Sequence, residues 1–199
     1  TRTINGAHNL TVQTSGTGDV TLGNAVGGTG ALTGLTITTD QLNTSDIALA
    51  ANAALSLTTE GTSAISGVIS GTGATLSKAG SGSLTLSGTN TYSGSTTISA
   101  GTLSIAKDAN LGTAPGSATA QHLTIDGATL LVTGNTTLNS KRGIELGVND
   151  GTIDVNAGMT VQFGGIVDGS GDFSKTGAGK LSLSGTNTYT GTTRVSGGI

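Results

Sequence analysis

The stretch from Leu76 to Gly94, which begins Leu-Ser-Lys and closes on Gly-Thr-Asn-Thr-Tyr-Ser-Gly, returns 97 positions later as Phe173 to Gly191. Aligning 76–102 with 173–199 gives 16 identities in 27 positions, and five of the remaining eleven pairs exchange Ser for Thr, Ala for Gly or Ile for Val. A chain that reuses one unit so faithfully stacks its units, because each cannot bury its apolar face without a neighbour.

The units read as β. Their recurring signal is an apolar-polar-apolar triplet, which puts two side chains on one face of a pleated strand and one on the other. Eleven occur: Leu10-Thr-Val12, Val20-Thr-Leu22, Leu35-Thr-Ile37, Leu55-Ser-Leu57, Leu84-Thr-Leu86, Leu103-Ser-Ile105, Leu123-Thr-Ile125, Ile144-Glu-Leu146, Ile153-Asp-Val155, Val161-Gln-Phe163 and Leu181-Ser-Leu183. Gly, Asn or Asp punctuates nearly every gap. Leu84, Leu103, Leu123 and Ile144 advance by 19, 20 and 21 residues, close to one coil of a β-solenoid. The expected fold is therefore all-β, a parallel β-helix (β-solenoid) with coils of about 20 residues, running as one continuous body over 1–199. Leu, Ile and Val stack inward, while Thr and Ser form polar ladders outside.

Three rivals give way. A pair of immunoglobulin-like sandwiches fits the 97-residue spacing, but two Phe, two Tyr and no Trp leave its inter-sheet layer without aromatic anchors. The triplets exclude a disordered Gly/Ser/Thr linker. Helical composition is confined to 41–55, read as an excursion or loop between coils. Gly88–Gly94 and Gly185–Gly191 are turns in which Asn90 and Asn187 bond the backbone they turn, with Tyr92 and Tyr189 covering the corner.

Charged residues make up 10% of the chain and the net charge is −3, so no concentrated basic surface exists for nucleic acid. The adjacent basic pair Lys141-Arg142 reads as a solvated turn. Without cysteine there is no disulfide, thiolate or Cys-based zinc site. No apolar run is long enough to cross a bilayer, the longest, Ile47 to Leu55, being interrupted by Asn52. The chain opens on Thr1-Arg2-Thr3 without a leader and its second copy stops at Val195-Ser-Gly-Gly-Ile199, so these residues read as an excerpt of a longer polypeptide.

Chemistry has few candidates. Glu145, Asp150 and Asp154 lie close in sequence near Lys141 and Arg142, the kind of grouping a β-helical polysaccharide lyase or hydrolase requires. Alternation turns Asp154 outward, opposite Ile153 and Val155. Asp168-Gly-Ser-Gly-Asp172 has the carboxylates and glycines of a calcium turn. The earlier copy, however, has Ser70 where Asp168 stands and only Ala74 or Thr75 near the place of Asp172. His8 and His122 are 114 residues apart, outside any His-x-x-x-His pattern, and read as surface residues. Ser93 and Ser95 become Thr190 and Thr192 in the second copy, which removes them as nucleophiles. Gly80-Ser-Gly82 and Gly28-Thr-Gly30 lack the Gly-Lys-Ser/Thr of a phosphate loop and read as turns. Thr-x-Thr at Thr1 to Thr3 and Thr36 to Thr38 does not recur once per coil, which argues against an ice-binding face. No catalytic, cofactor-binding or metal residue is expected, and no cofactor.

The shared pattern Gly-x-Gly-(Ser/Lys)-Leu-x-Leu-Ser-Gly-Thr-Asn-Thr-Tyr-x-Gly-x-Thr-x-(Ile/Val)-Ser-x-Gly resembles the passenger-associated transport repeat of bacterial autotransporters. The likeness covers 76–105 and 173–199, and Gly101 to Gly112 extends it. Ile4 to Val12, Gly18 to Gly23 and Val26 to Leu32 are similar to repeats of filamentous haemagglutinin-like adhesins. The resemblance implies a right-handed parallel β-helix, secreted or displayed on a Gram-negative surface, with an outer-membrane β-barrel elsewhere in the full protein. It implies a rigid spacer and export-competent scaffold, with no catalytic residue to carry over. Its partners would be host matrix, glycans or sister molecules reached through sheet faces or coil ends, without nucleic acid and without membrane insertion of this segment.

Overall fold

A computed structural model describes residues 4–199; Thr1 to Thr3, with the first Thr-x-Thr pair, lie outside the described residues. The chain winds as a parallel β-solenoid of about nine turns, roughly 21 residues per coil. Two nine-stranded parallel sheets form two sides, and a three-stranded sheet, Thr136–Leu138, Thr160–Phe163 and Lys180–Leu183, closes the third side of the later coils. In the earlier coils the third side is a narrow column, Ile4, Val26, Ile47 and Ile69. Each of the eleven triplets falls inside a strand.

Alternation along the strands becomes columns across them. In the first sheet Leu10, Leu35, Leu55, Leu76, Thr96, Leu123, Ile144 and Val167 are successive lateral partners. From Leu35 onward this column is buried. Its outward neighbours form the column Thr11, Thr36, Ser56, Ser77, Thr97, Thr124, Glu145 and Asp168, so hydroxyls face solvent over six rungs and carboxylates over the last two. Burying one aliphatic side chain contributes about 1.5–3 kcal/mol, and one coil must order some twenty residues. Stability therefore comes from contacts between coils.

The structure changes four details. Leu84 does stack on Leu103 and Leu123 on Ile144, but Leu103 stacks on Leu130, in the second sheet, and not on Leu123. The cause is a longer coil: an insertion over 106–118, carrying the 3-10 helix Asp108–Leu111, stretches the rung from Leu103 to Leu130 to 27 residues. Residues 41–55 are mostly strand and not loop, since Leu42–Thr44 and the first nine residues of Ile47–Thr59 cover all of them but Gln41, Ser45 and Asp46. Their alanines mimic helix, but β pairing on both sides overrides propensity. The extra residues are absorbed at Asn52, whose φ of 58° kinks the strand where its register with Leu32–Thr39 shifts. The turn asparagines bond the neighbouring coil: Asn90 Oδ1 accepts from Ile69 N at 2.8 Å and Asn187 Oδ1 from Val167 N at 3.0 Å. Tyr92 is buried beneath its corner, not laid over it, whereas Tyr189 is half-buried.

The two repeat copies keep their local geometry on different sides of the solenoid. Each tyrosine hydroxyl bonds a threonine four residues on, Tyr92 to Thr96 at 2.8 Å and Tyr189 to Thr193 at 2.6 Å. Gly80 and Gly177 both take positive φ, 80° and 69°, and a Cβ on either would run into a carbonyl of the coil beneath, Thr59 or Val155. Yet Thr75–Ala79 belongs to the first sheet, whereas its equivalent Phe173–Thr176 belongs to the second. The insertion adds about one side of a coil between them, so the second copy lands one side further round.

Candidate functional site

The carboxylates of the sequence do not converge. Glu145 lies in the first sheet and Asp154 in the second, with Asp150 exposed on the corner between. Each has a lateral hydrogen bond of its own. Glu145 Oε2 accepts from Thr124 Oγ1 at 3.0 Å, Asp154 Oδ2 from Thr176 Oγ1 at 2.8 Å, and Asp150 Oδ1 from Asp172 N at 2.8 Å. Asp154 turns outward as alternation requires. Lys141 is exposed and reaches back to Gly116 O at 2.6 Å.

Asp168 and Asp172 do separate jobs. Asp168 stands in the outward column beside Glu145, with Oδ1 shielded and without a hydrogen-bond partner, whereas Asp172 Oδ1 accepts from Thr192 N at 2.7 Å. That backbone N–H, aided by the Thr192 hydroxyl, holds the Asp172 carboxyl below the usual carboxylate range. Ser93 Oγ accepts from Gly73 N at 2.7 Å, a coil-to-coil bond. Among the described residues no group of three or more His, Asp or Glu converges in metal-binding geometry. His8 is exposed.

Arg142 and His122 are corrections. Neither is at the surface: Arg142 is 1% exposed and His122 5%. The guanidinium is paired bidentately with Asp108, Nε to Oδ1 and Nη2 to Oδ2 at 3.2 Å each. It also donates to Leu111 O at 3.0 Å, Gly112 O at 2.9 Å and His122 Nδ1 at 3.2 Å. Arg142 thus clips both ends of the 3-10 helix to the following coil. Asn110 ties the same helix the other way, its Nδ2 donating to Gly88 O at 2.9 Å. The signal was in the sequence, since Arg142 shares parity with the inward Ile144 and Leu146. His122 had none, because it follows a bulge at which register shifts between Thr119 and Leu123 and Gln121 takes φ 57°.

Two further buried cations escaped the sequence reading, and they are equivalent in the two repeat copies. Lys78 is fully buried in an inner column between Leu57 and Ile98, and Lys175, 2% exposed, lies between Ile153 and Val195. Lys78 Nζ donates to Ala79 O at 2.7 Å and Gly80 O at 2.9 Å; Lys175 Nζ donates to Thr176 O at 2.5 Å, Gly177 O at 2.9 Å and Gly197 O at 3.1 Å. Each ammonium caps the carbonyls of a glycine corner.

Burial lowers the Lys78 pKa to about 8, with Glu60 opposing the shift. An unfolded lysine titrates near ~10.4, so between those values the unfolded chain holds a proton that the folded chain has released. Stability from this group rises with pH through that window. Tyr92, held at about 12 by burial, stays protonated there. The urea midpoint is expected to rise from pH 7.5 to 9.5, and Lys78→Met to flatten the rise. An equal rise in both proteins would assign the effect elsewhere.

The geometry defines a class: a parallel β-solenoid built from repeats whose glycine corners are capped by buried lysine. Residues 76–105 and 173–199 match the passenger-associated-transport-repeat, so these two stretches are similar to that repeat. A curated relative, the adhesin BmaC autotransporter of Brucella suis biovar 1 (strain 1330), is 49% identical over 61 residues, which is 30% of this chain and 2% of that protein. No solved structure is significantly similar to the chain.

Proposed function

We propose that the chain is a structural segment of an autotransporter-like passenger, secreted or displayed at a bacterial surface, acting as a rigid β-helical spacer and an export-competent scaffold. The observation that carries this reading is the unbroken inner column of the first sheet, Leu35 to Val167, which makes each coil depend on its neighbours. Such a body is easily kept unfolded in pieces and gains stability as successive coils dock. Absence of cysteine removes the risk of premature disulfides. In this reading the outer-membrane β-barrel belongs to another part of the full protein, and the hydroxyl-rich faces contact host matrix or glycans. Sheet faces or coil ends serve sister molecules. No residue acts as a catalyst, and none as a metal or cofactor ligand.

Pulling a single 199-residue chain from its ends tests the spacer role. Release in several steps, each a whole number of coils, is expected; one all-or-none extension would contradict it. The competing reading, a carbohydrate-active β-helix enzyme, has Glu145 and Asp154 on different sides. Polysaccharide cleavage that disappears in Asp154→Ala would restore it.

A further inference from the structure

We propose that His122 and Arg142 form an acid-release clamp on the insertion 106–118, holding it against the solenoid at neutral pH and loosening it in acid. The proposal stands on geometry independent of the spacer role. Arg142 Nη1 donates to Leu111 O and to His122 Nδ1, so Nδ1 must present its lone pair. Only a neutral imidazole with its proton on Nε2 meets that demand. Nε2 itself is buried without a hydrogen-bond partner, although the nearby Ser93 carbonyl favours its charge.

Protonation would set an N–H of His122 against an N–H of Arg142 at 3.2 Å in a site closed to solvent. The charged groups acting on His122 are Arg142 from the strand Arg142–Leu146 and Asp108 from the 3-10 helix, the same two that act on Tyr92 at the preceding corner; the strand Thr96–Ile98 brings none. Asp108 favours the charged imidazole less than Arg142 opposes it, and its oxygens are already engaged by Arg142 and, on Oδ1, by Asn139 N at 3.0 Å. The contact is relieved by letting Arg142 leave the carbonyls of Leu111 and Gly112. Burial first, then Arg142, holds the folded imidazole below its ordinary value. The folded site thus resists a proton that the unfolded segment accepts, and local stability falls as pH drops through about 6.5.

Hydrogen exchange on the 199-residue chain tests the clamp. The amides of Ala106, Lys107 and Asn110 are bonded within the clamped segment, and that of Thr113 ties the segment to Tyr92 O at 2.8 Å. Their protection factors are expected to fall several-fold from pH 7.5 to 5.0, while those of Leu55 to Leu57 change less than twofold. His122→Gln, whose amide oxygen still accepts from Arg142 but does not titrate, keeps the insertion protected at both pH values. Equal protection at both pH values in the natural chain, or the same acid loss in His122→Gln, overturns the proposal. If that variant does not fold, titration of the His122 resonance in the natural chain decides. A midpoint below 6.5 that tracks the amide change supports the clamp, and one at or above 6.5 overturns it.

Discussion

Arg142→Met is expected to lower stability by about 3–5 kcal/mol at pH 7.5, the range found when one partner of a buried ion pair is removed. The partly accessible Asp108, 22% exposed, places the loss toward the lower end. The guanidinium connects Asp108, two carbonyls and His122 across an insertion that sheet pairing alone does not hold. Methionine fills much of the volume but supplies no donor. Arg142→Lys should recover less than half, because a single ammonium cannot span the fork's partners. Denaturant midpoints with unchanged slopes are the measurement, and a loss below about 1 kcal/mol would show that the cluster contributes little beyond packing.

Leu103→Ala should cost about 2–5 kcal/mol, the range for emptying a well-packed aliphatic site. Leu103 is fully buried between Leu84 and Leu130, so the cavity weakens two rungs at once. Because each coil touches only its neighbours, amide protection should drop first in Ser83–Leu86 and Ala128–Val132 and last in Leu32–Thr39. Thr97→Ala on the outward column is the control, within about 0.5 kcal/mol of the natural chain. Uniform loss of protection along the whole body would mean that the solenoid unfolds as one cooperative unit.

Strand positions were legible because period-two alternation and glycine corners are local properties, and both survive in every triplet. The side of the solenoid on which a strand lies was not. That depends on the running total of residues, and the insertion at 106–118 moves everything after it round by one side, which is why Leu103 and Leu123 looked like rungs of one ladder. The buried cations were half legible. Parity marks Lys78 with Leu76 and Arg142 with Ile144 as inward, yet charge argued for solvent, and only the capped carbonyls and Asp108 explain why burial is tolerated. His122 was hidden by a bulge that breaks the alternation locally. For the carboxylates, outward parity of Asp154 was correct, but closeness in sequence around a corner placed Glu145 and Asp154 on different sides.

The shift between the two repeat copies gives the most direct test, because it follows only if the coils stack in the stated parallel register. Ser174 is the lateral partner of Thr152 in the second sheet. Had the second copy kept the sides of the first, Ser174 would follow Glu145 in the outward column of the first sheet, as Ser77 follows Ser56. The natural chain has no cysteine, so a disulfide reports only the pair introduced. Laterally paired residues lie roughly 4.8 Å apart, within disulfide reach. Oxidation should rapidly join Thr152→Cys to Ser174→Cys and leave Glu145→Cys with Ser174→Cys unjoined; the reverse pattern would contradict the stacking described for this chain.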